Sequence, residues 1–437
     1  MEPNISKETI FALSSGTPPA GVAVVRISGA EAGRALTALA GTLPPPRRAV
    51  LRRLTDPADG SLLDRALLLW LPGPGSATGD DMAELHLHGG RAVVAAVLGA
   101  LRELPGLRAA EAGEFTRRAF ANGRIDLAEA EGLADLLAAE TESQRRQALF
   151  AASGHVSARI AAWQSALLAL AATIEAALDF ADEGDVAREA AALAAVGQNI
   201  AELQSEIADW LARPAAERIR DGLLVVIAGP PNAGKSTLLN ALAQREAAIV
   251  SPVAGTTRDI VEVPLALDGI AMRFADTAGL RRGSNDAIEE IGIRRASAAI
   301  ATADILLWLG PAADCPGHQC VLTIAAQCDR LPADPGADLA LSAMTGEGLA
   351  ALHSAIVVRA RTLLPLAGEA ALHARQRAVL GEAADWLAIA PGSLEAEDPI
   401  LLAERLRLAR TALNRVTGHA GVEDMLDALF GRFCIGK

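Results

Sequence analysis

The chain has 437 residues, with 40 Lys and Arg against 53 Asp and Glu, which gives a formal net charge of −13. This length allows two or three domains of roughly 100–200 residues each. So acidic a chain is not expected to coat a polyanion over a broad surface, because that requires clustered Lys and Arg. An aromatic content of 3% also counts against a platform that stacks many bases.

Cysteine content and hydropathy predict a cytoplasmic protein. Three of the four Cys fall between positions 315 and 328, which is not the framework of a disulfide-rich secreted domain. The amino terminus, MEPNISKETIF, lacks the basic start and apolar run of an export signal. The most apolar helical stretch, residues 165–178, is interrupted by Glu175 and is shorter than the roughly 18–20 residues that span a bilayer. We expect a soluble protein with no membrane partner.

Three patterns follow one another along the chain. Short β-rich runs with Gly and Pro turns come first, and residues 21–27 and 84–88 read as strands. Between about Arg124 and Arg213 the chain is rich in Ala and Leu, lacks Pro and shows the spacing of amphipathic helices. Residues 223–228 are then apolar on both faces, as in a central parallel strand. Further short apolar runs lie at 270–275, 304–309, 321–325 and 339–341.

The alternation of these runs with helix-like stretches predicts a doubly wound α/β module. The helical pattern returns after about Leu364, so the module is interpreted as an insertion between two halves of one helical domain.

A phosphate-binding loop is predicted at residues 229–236, where GPPNAGKS matches G-x-x-x-x-G-K-[ST] between an apolar strand and a helical run. Its glycines let backbone N–H groups curl around a β-phosphate, and the helix adds its positive end. Lys235 would bridge the β- and γ-phosphates and Ser236 would bind Mg²⁺. A chance match in a Gly-rich turn is the alternative, and the strand and helix on either side argue against it.

Three further motifs indicate a GTPase of the translation-factor-like superclass. Thr257, in GTTRD, can supply a second Mg²⁺ ligand, and Asp276, in DTAG, can hold Mg²⁺ through water. Ser342 and Ala343 follow the last strand and would place N–H groups near the base carbonyl. The predicted GTP-binding residues are Asn232, Ala233, Gly234, Lys235, Ser236, Thr237, Ser251, Pro252, Val253, Ala254, Gly255, Thr256, Thr257, Asp276, Thr277, Ala278, Gly279, Asp329, Ser342 and Ala343.

The base-reading motif departs from the usual Asn-Lys-x-Asp, because the register gives Ala326-Gln327-Cys328-Asp329. Asp329 keeps the carboxylate that accepts from guanine's N1–H and exocyclic amine. Ala326 cannot supply the amide contact of the usual Asn, and Gln327 is a poorer stacking stem than Lys. We predict guanine selectivity mainly through Asp329, with weakened nucleotide affinity.

Catalysis must recruit a group other than the usual water-orienting Gln, because Leu280 stands at that position. Charged residues follow it, and for any single one of them a solvated charge on a loop is the favoured interpretation. They are Arg281, Arg282, Glu289 and Glu290.

A cluster of thiols and one imidazole at Cys315, His318, Cys320 and Cys328 suggests zinc by its spacing. The cluster lacks paired C-x-x-C knuckles, so a structural metal is the less favoured interpretation.

The motifs taken together resemble the MnmE (TrmE) family of tRNA-modification GTPases from end to end. The order and spacing of several strings carry this resemblance. They are GVAVVRISG at 21–29, TGDDMAE at 78–84, HGG at 88–90, GEFTRRAFANGR at 113–124, LAEAE at 127–131 and FCIGK at 433–437.

The resemblance implies a multidomain α+β fold with an N-terminal α/β folate-binding-like domain, a helical bundle and an inserted P-loop G domain. The predicted limits are 1–122 for the folate-binding and dimerisation domain, 123–220 and 366–437 for the helical halves, and 221–365 for the G domain. Homodimerisation through the N-terminal domain is implied, as is binding of 5-formyl-tetrahydrofolate. Its implied folate contacts are Arg26, Glu84, Arg124 (usually Lys in the family) and Lys437.

The resemblance also implies partners and a reaction. With an FAD-carrying MnmG protein, in a heterotetramer or larger assembly, such proteins install an aminomethyl or carboxymethylaminomethyl group on C5 of the wobble uridine of certain tRNAs. Their G domains dimerise across GTP and bind K⁺, whose matching ligands here are Asn232, Ser251, Val253 and Thr256. Glu289 is implied to position water, and a Cys434 thiolate could add to C6 of the pyrimidine.

Two other interpretations stay open. The chain could be a ribosome-assembly or regulatory GTPase whose flanking domains only bind, or a folate-binding protein with a degenerate, non-hydrolysing G domain. The amino-terminal strings and the terminal CIGK favour the tRNA-modification hypothesis, whereas the altered base-reading motif leaves room for the degenerate G domain.

Overall fold

A computed structural model describes most of the chain, and the structural statements below concern the residues that it describes. These are residues 8–179, 186–245, 262–277, 294, 296–332, 334–366, 368–388, 398–418, 426, 429–431 and 433–436. The chain forms two compact units, one of Met1–Ala134 with Asn414–Lys437 and one of Asp135–Leu413.

The first unit is built on a six-stranded sheet whose order is β3-β4-β5-β2-β1-β6. All neighbouring strands are antiparallel except β1 and β6, which are parallel. The strands are β1 (Thr9–Leu13), β2 (Val22–Ser28), β3 (Val50–Thr55), β4 (Leu62–Leu71), β5 (Met82–His88) and β6 (Leu107–Ala109). Two helices, α1 (Ala32–Ala40) and α2 (Arg91–Arg102), complete a core with the sheet residues Val25, Leu68 and Leu85.

The carboxyl terminus of the chain is built into this first unit. Ala112 pairs with Ile435 as an isolated antiparallel bridge, just before α3 (Glu114–Ala121). Gly113 has a φ of +68°, and a Cβ there would lie 2.3 Å from the carbonyl oxygen of Phe430. Glycine is therefore required at position 113, where the backbone passes close to the C-terminal segment at Phe430.

The second unit begins within α4 (Leu127–Ala138) and contains a helical part. Its other helices are α5 (Glu142–Ala152), α6 (His155–Asp179), α7 (Val186–Ala212), α8 (Glu217–Arg220), α11 (Ala374–Leu387) and α12 (Pro399–Thr417). Buried positions in α6 and α7 recur in alternating steps of four and three, which is the spacing of two helices packed side by side. They are Val156, Ile160, Trp163, Leu167, Leu170 and Ile174 in α6, and Val196, Ile200, Leu203, Ile207 and Trp210 in α7.

The stretch Glu142–Ala176, which covers α5 and most of α6, passes a simple test for membrane spans by length and composition. It has 35 residues, and its most apolar 18-residue window has a mean hydropathy of 1.2 and is 28% buried. This window is longer than the apolar run at residues 165–178. In this structure the stretch packs its buried stripe against α7.

The rest of the second unit is a doubly wound α/β module. Its sheet order is β12-β11-β10-β7-β9-β8, and only β8 is antiparallel to its neighbour. The strands are β7 (Leu223–Ala228), β8 (Glu262–Leu267), β9 (Ile270–Asp276), β10 (Ile305–Trp308), β11 (Val321–Ala326) and β12 (Leu339–Leu341). Helices α9 (Lys235–Arg245) and α10 (Leu349–Leu363) pack onto a core that includes Val225, Ile227, Phe274 and Leu307.

The sheet confirms the predicted α/β module, while strand limits differ slightly from the expected ones. The strand within the run predicted at 304–309 is shorter, Ile305–Trp308, and Asp304 lies just before its first residue. Its Oδ2 accepts a hydrogen bond from Leu224 N at 2.9 Å, and its Oδ1 lies 3.0 Å from Arg218 Nε. The four domain limits expected from the sequence stay predictions.

Candidate functional site

The predicted phosphate loop connects β7 to α9. Gly229 has a φ of +150°, and a Cβ there would lie 2.4 Å from the carbonyl oxygen of Leu309, so only glycine fits. Lys235 is buried, and its Nζ donates to the carbonyl oxygens of Gly229 at 2.9 Å and Pro230 at 2.8 Å. The loop thus closes around its own lysine, which places a cation where the motif requires one.

Two of the predicted Mg²⁺-binding residues meet at the end of this loop. Ser236 Oγ donates a hydrogen bond to Asp276 Oδ2, although the two residues lie 40 positions apart. Asp276 ends β9, whose register pairs it with Ile227 of β7. Next to it, Thr277 Oγ1 donates to the carbonyl of Ile227 at 3.1 Å. A hydroxyl and a carboxylate are oxygen ligands of the kind that Mg²⁺ prefers, so the pair fits that ion.

A cavity of about 280 Å³ lies beside the phosphate loop, where the predicted base-reading residues converge. Its lining includes Ala233, Gly234, Thr237, Ala326, Gln327, Asp329, Arg330, Ser342, Ala343 and Met344. The Ser342 side chain donates to the Asp329 carboxylate, which lowers the pKa of Asp329 below its usual value. The carboxylate is therefore held ionised, as an acceptor for guanine must be.

Met344 and Arg330 line the same cavity but were not singled out from the sequence. Met344 is 72% exposed, and Arg330 Nε lies 3.4 Å from Asp329 Oδ2. Each directly follows a predicted base-site residue in the chain, and that adjacency is the signal that could have identified them.

Many predicted site residues lie outside the described part of the chain. They are Ser251, Pro252, Val253, Ala254, Gly255, Thr256, Thr257, Ala278, Gly279, Leu280, Arg281, Arg282, Glu289, Glu290 and Lys437.

In the first unit, two of the predicted folate contacts bind each other. Arg26 on β2 and Glu84 on β5 stand opposite in the strand register, and Arg26 Nε donates to Glu84 Oε1 at 2.8 Å. His86 Nε2 lies 3.2 Å from the other carboxylate oxygen. Burial acts to raise the pKa of Glu84, but Arg26 and His86 outweigh it and lower that pKa.

A hydrogen-bond network joins three of the family-like strings near these residues. Asn122 Nδ2 donates to the carbonyl of Thr78 at 2.7 Å and to Asp80 Oδ1 at 3.0 Å. Thr78 Oγ1 lies 2.8 Å from Ser28 Oγ at the end of β2. The network connects Asn122, two residues before the exposed Arg124, to the end of β2, the strand that carries Arg26.

The tail that carries Cys434 returns to the same sheet. Cys434 is exposed, and Gly436 beyond it has a φ of +97°. A Cβ at Gly436 would lie 2.3 Å from the carbonyl oxygen of Leu13, at the end of β1. The first unit therefore contains Arg26, Glu84, Arg124 and Cys434.

The thiol and imidazole cluster does not assemble a metal site in the structure. His318 Nδ1 accepts a hydrogen bond from the N–H of Cys320 at 3.1 Å, and its Nε2 lies 3.0 Å from the carbonyl oxygen of Ala303. Burial raises the pKa of the Cys315 and Cys320 thiols. Among the residues that the structure describes, no group of three metal-binding side chains converges.

Comparison with known proteins identifies the family. The family model of the MnmE helical domain matches residues 127–434, and that of the amino terminus of the GTP-binding protein TrmE matches residues 9–124. The chain is 67% identical to the tRNA modification GTPase MnmE of Sphingopyxis alaskensis over 420 residues, which cover 94% of this chain and 100% of that protein. The chain belongs to the MnmE family of tRNA modification GTPases.

A second MnmE relative, from Rhizorhabdus wittichii, is 61% identical over 99% of this chain and 97% of its own length. The resemblance inferred from the motifs is thus confirmed, and so is the prediction that the chain is a GTP hydrolase.

Solved structures give weaker likenesses. The G domain of the Thermotoga maritima FeoB iron transporter is 22% identical over 32% of this chain and 98% of that chain, with a TM-score of 0.22. The elongation factor SelB from Methanococcus maripaludis is 16% identical over 33% of this chain and 35% of that chain, with a TM-score of 0.24. Likenesses at such scores carry no argument about this chain.

Proposed function

We propose that the chain is a K⁺-stimulated GTPase whose cycle drives folate-dependent modification of the wobble uridine in certain tRNAs, in the cytoplasm. The proposal rests on the arrangement of Lys235, Ser236 and Asp276 around the phosphate loop. The cavity that Asp329 lines lies beside the same loop. The paired Arg26 and Glu84 support a separate ligand site in the first unit.

In the G domain, Ser236 and Thr257 would hold Mg²⁺, with Asp276 supporting the ion through water. The bound ion would neutralise charge on the β- and γ-phosphates. Lys235 adds a buried cation whose amine lies against the loop carbonyls. Asp329 would accept hydrogen bonds from the donor edge of guanine, so the site would bind both the base and the phosphates of GTP.

K⁺ would supply the positive charge that an arginine finger supplies in other GTPases. Catalysis needs another group because Leu280 stands at the position of the usual water-orienting Gln. The proposed ligands are Asn232, Ser251, Val253 and Thr256, with Glu289 positioning the water and G domains of two chains meeting across GTP. GTP hydrolysis should be faster in KCl than in NaCl, and Asn232→Ala should abolish that difference. Equal rates in both salts would contradict the K⁺ site, and absence of turnover in KCl would favour a degenerate G domain.

In the first unit, the proposed ligand is 5-formyl-tetrahydrofolate or a related folate, with homodimerisation through this domain. The Glu84 carboxylate suits the donor edge of a pterin, and Arg26, 2.8 Å away, would orient that carboxylate, while Arg124 and Lys437 suit the carboxylates of a glutamate tail. Because Arg26 already binds Glu84, the folate would share a preformed ion pair.

Cys434 is the proposed nucleophile towards the uridine. Its thiolate would add to C6, forming an S–C6 bond while the C5=C6 π electrons make C5 the nucleophile towards a one-carbon unit supplied by the folate. Tetrahydrofolate would be the leaving group, and the reduced flavin of the partner would supply the two electrons that bring a formyl-level carbon to the methylene level. Loss of the C5 proton would then expel the thiolate. Cys434→Ser should abolish modification in cells while GTP hydrolysis persists, and full modification by this variant would dismiss the role.

An FAD-carrying MnmG-type partner, in a heterotetramer or larger assembly, would complete the reaction. A net charge of −13 supports the view that this partner supplies much of the phosphate binding to tRNA. The deciding experiment is mass analysis of tRNA nucleosides from cells that lack this gene. An unchanged wobble-uridine profile would contradict the proposal and favour a ribosome-assembly or regulatory GTPase.

A further inference from the structure

A cleft of about 440 Å³ lies in the helical part of the second unit, where α5 ends, α6 begins and α7 ends. This volume is in the range of roughly 300–1,000 Å³ that small-molecule sites occupy. Arg159 and Arg213 line the cleft, and no Asp or Glu is among the described residues of its lining. The whole chain carries a net charge of −13, so the cleft is a local cationic site on an acidic protein.

Two stacked rings form part of the cleft. The ring centroids of Phe150 and His155 lie 4.0 Å apart, with 17° between the ring planes. His155 Nδ1 donates to the carbonyl oxygen of Phe150 at 3.1 Å, which fixes the orientation of the imidazole. His155 is the exposed member of the pair, so its ring can continue the stack with a third planar group. Unpaired RNA bases stack on His and aromatic side chains in this way.

A second ring in the lining, that of Trp210, has a cation over its face. Arg213 Cζ lies 4.6 Å from the Trp210 ring centroid, and the Trp210 ring meets that of Trp163 edge-on at 5.3 Å. Arg377 Nη1 donates to the carbonyl oxygen of Arg213 at 2.8 Å, so the segment that carries this guanidinium is anchored. The rings and the cation are therefore positioned before any ligand binds, which lowers the entropy cost of binding.

The other arginine of the cleft stands one helical turn after the stacked imidazole. His155 and Arg159 are four residues apart in α6, so their side chains share a face of the helix. Arg159 Nη1 lies 3.3 Å from Glu206 Oε2, and both side chains are about half exposed. An exposed ion pair of this kind is weak, so a phosphate can take the place of the carboxylate. Planar guanidinium groups match the oxygens of a phosphate bidentately.

We propose that this cleft binds an unpaired nucleotide of an RNA strand. The base stacks on His155, and the guanidinium groups of Arg159 and Arg213 bind the adjoining phosphates. This inference rests on the proposed function, because the loops of a tRNA present unpaired bases. A site for one or two bases is compatible with an aromatic content of 3%, which argues only against a platform for many bases.

The first test is fluorescence anisotropy of a fluorescein-labelled oligoadenylate of about ten nucleotides, titrated with the full-length chain. GDP and Mg²⁺ are present throughout, so that the proposed nucleotide site is occupied. His155→Ala should weaken binding about five- to tenfold, as the loss of one base-stacking contact predicts. His155→Phe keeps a planar ring and should retain the wild-type affinity. The duplex of the same oligoadenylate with oligouridylate should bind more weakly than the single strand, because its bases are already stacked and paired.

A second measurement separates stacking from charge. Arg213→Gln should weaken binding and lower the slope of log affinity against log salt concentration by about 0.7, the value for one lost phosphate contact on a single strand. Arg213→Lys keeps the charge and should keep the slope, and His155→Ala should also leave the slope unchanged. The matched control is Arg410→Gln, which removes an exposed arginine of α12 that does not line the cleft and should change neither affinity nor slope.

Several results would overturn the inference. They are absence of oligoadenylate binding by the wild type, equal affinities of the wild type, His155→Ala and Arg213→Gln, and failure of His155→Phe to retain binding. Equal binding of single strand and duplex would also overturn it, because an unpaired base is then not recognised. If adenosine monophosphate displaced the oligonucleotide at the same nucleotide concentration, the ligand would be a free nucleotide and the assignment to RNA would be wrong.

The outcome for the cleft can be told apart from the outcome for the proposed function. Basal GTP hydrolysis and the melting temperature of His155→Ala should match the wild type, which shows that weaker binding is not loss of folding. If deletion of the gene changes the wobble-uridine profile but the cleft variants bind RNA like the wild type, only the cleft assignment fails. If the variants lose RNA binding but deletion leaves that profile unchanged, the proposed function fails and the cleft remains an RNA site.

Discussion

At the residue scale, Asp329 is the position where the sequence alone predicted most of the chemistry. Its carboxylate lines the cavity beside the other predicted base-site residues and binds Ser342, and its role in reading the base stays a prediction. Gln327 Nε2 donates a hydrogen bond of 2.9 Å to the backbone carbonyl of Asn232. This contact could not be predicted, because it depends on positive φ angles at both residues that no local sequence pattern indicates. The sequence motif thus indicates a candidate base-reading side chain, but it does not indicate the contacts that hold the surrounding loop in place.

Replacing Asp329 with Asn should exchange the base preference of the site. Asn keeps one acceptor oxygen for N1–H but presents an NH2 donor in place of the second oxygen. Guanine therefore loses the hydrogen bond from its exocyclic amine, whereas xanthine, with a carbonyl there, can accept one. We expect GTP affinity to fall by at least tenfold and xanthosine triphosphate to compete better than GTP. Competition against labelled GDP measures both. An unchanged preference for GTP would show that another group reads the base.

A second residue-scale prediction concerns Glu217 and acid stability. Burial acts to raise the pKa of Glu217, but His373 and the N–H of Ala374, at 2.8 Å, outweigh it and lower the pKa to about 2. The folded state therefore binds fewer protons than the unfolded state between about pH 4.5 and 2. The carboxylate stabilises the fold above that window and loses its contribution as the pH falls through it.

Glu217→Gln should accordingly flatten the acid dependence of stability. Between pH 5 and pH 3, the wild-type melting temperature should fall further than that of the variant. Over this pH range, the wild type should lose on the order of 1–2 kcal/mol more free energy of unfolding than the variant, once the partial exposure of Glu217 is allowed for. Asp209→Asn, at an exposed position on α7, serves as the control and should follow the wild type. Parallel melting curves for wild type and Glu217→Gln would contradict the assignment.

At the element scale, periodicity predicted the parallel strands and the long helices but not the contacts between distant segments. Residues 223–228 are apolar on both faces, and β7 occupies them. By contrast, β1 pairs in parallel with the short β6, and Ala112 pairs with Ile435 near the end of the chain. Such pairings are set by register over long separations, which no window of local sequence contains.

The first turn of α5 illustrates an element fixed by both local and distant contacts. Thr141 and Gln144 form a capping box, and Gln144 Nε2 also donates to the carbonyl of Arg220 at 2.9 Å. Ser143 donates from its N–H and its Oγ to the carbonyl of Gly269, in the turn between β8 and β9. The start of this helix is therefore anchored to the strand pair that ends at Asp276.

Loss of the cap should loosen this anchor measurably. Thr141→Ala removes the side-chain acceptor and should cost about 1 kcal/mol of local stability, whereas Thr141→Ser keeps it. We expect amides in the first turn of α5 to exchange about fivefold faster in the Ala variant, as measured by hydrogen exchange. Equal exchange in the Ala and Ser variants would mean that packing, not the cap, holds the turn.

At the scale of the whole molecule, the predicted sites fall in different compact units. Arg26 and Glu84 belong to the first unit, and Lys235 and Ser236 to the second. Each site has its own core beneath it, one around the six-stranded sheet of the first unit and one around the α/β module. A variant at the site of one unit can therefore be tested for its effect on the activity proposed for the other.

Variants of the two sites should therefore separate the two activities. Glu84→Gln removes the charge that binds Arg26 and His86 and should abolish binding of 5-formyl-tetrahydrofolate, measured by calorimetry, while basal GTP hydrolysis stays within twofold of wild type. Lys235→Ala should do the reverse, abolishing GTP hydrolysis while folate still binds. Arg53→Gln, at an exposed position of the same sheet as Glu84, is the matched control and should retain both properties. If Glu84→Gln slowed hydrolysis as strongly as Lys235→Ala, the folate site would have to act directly on the nucleotide site, and the assignment of two independent sites would be wrong.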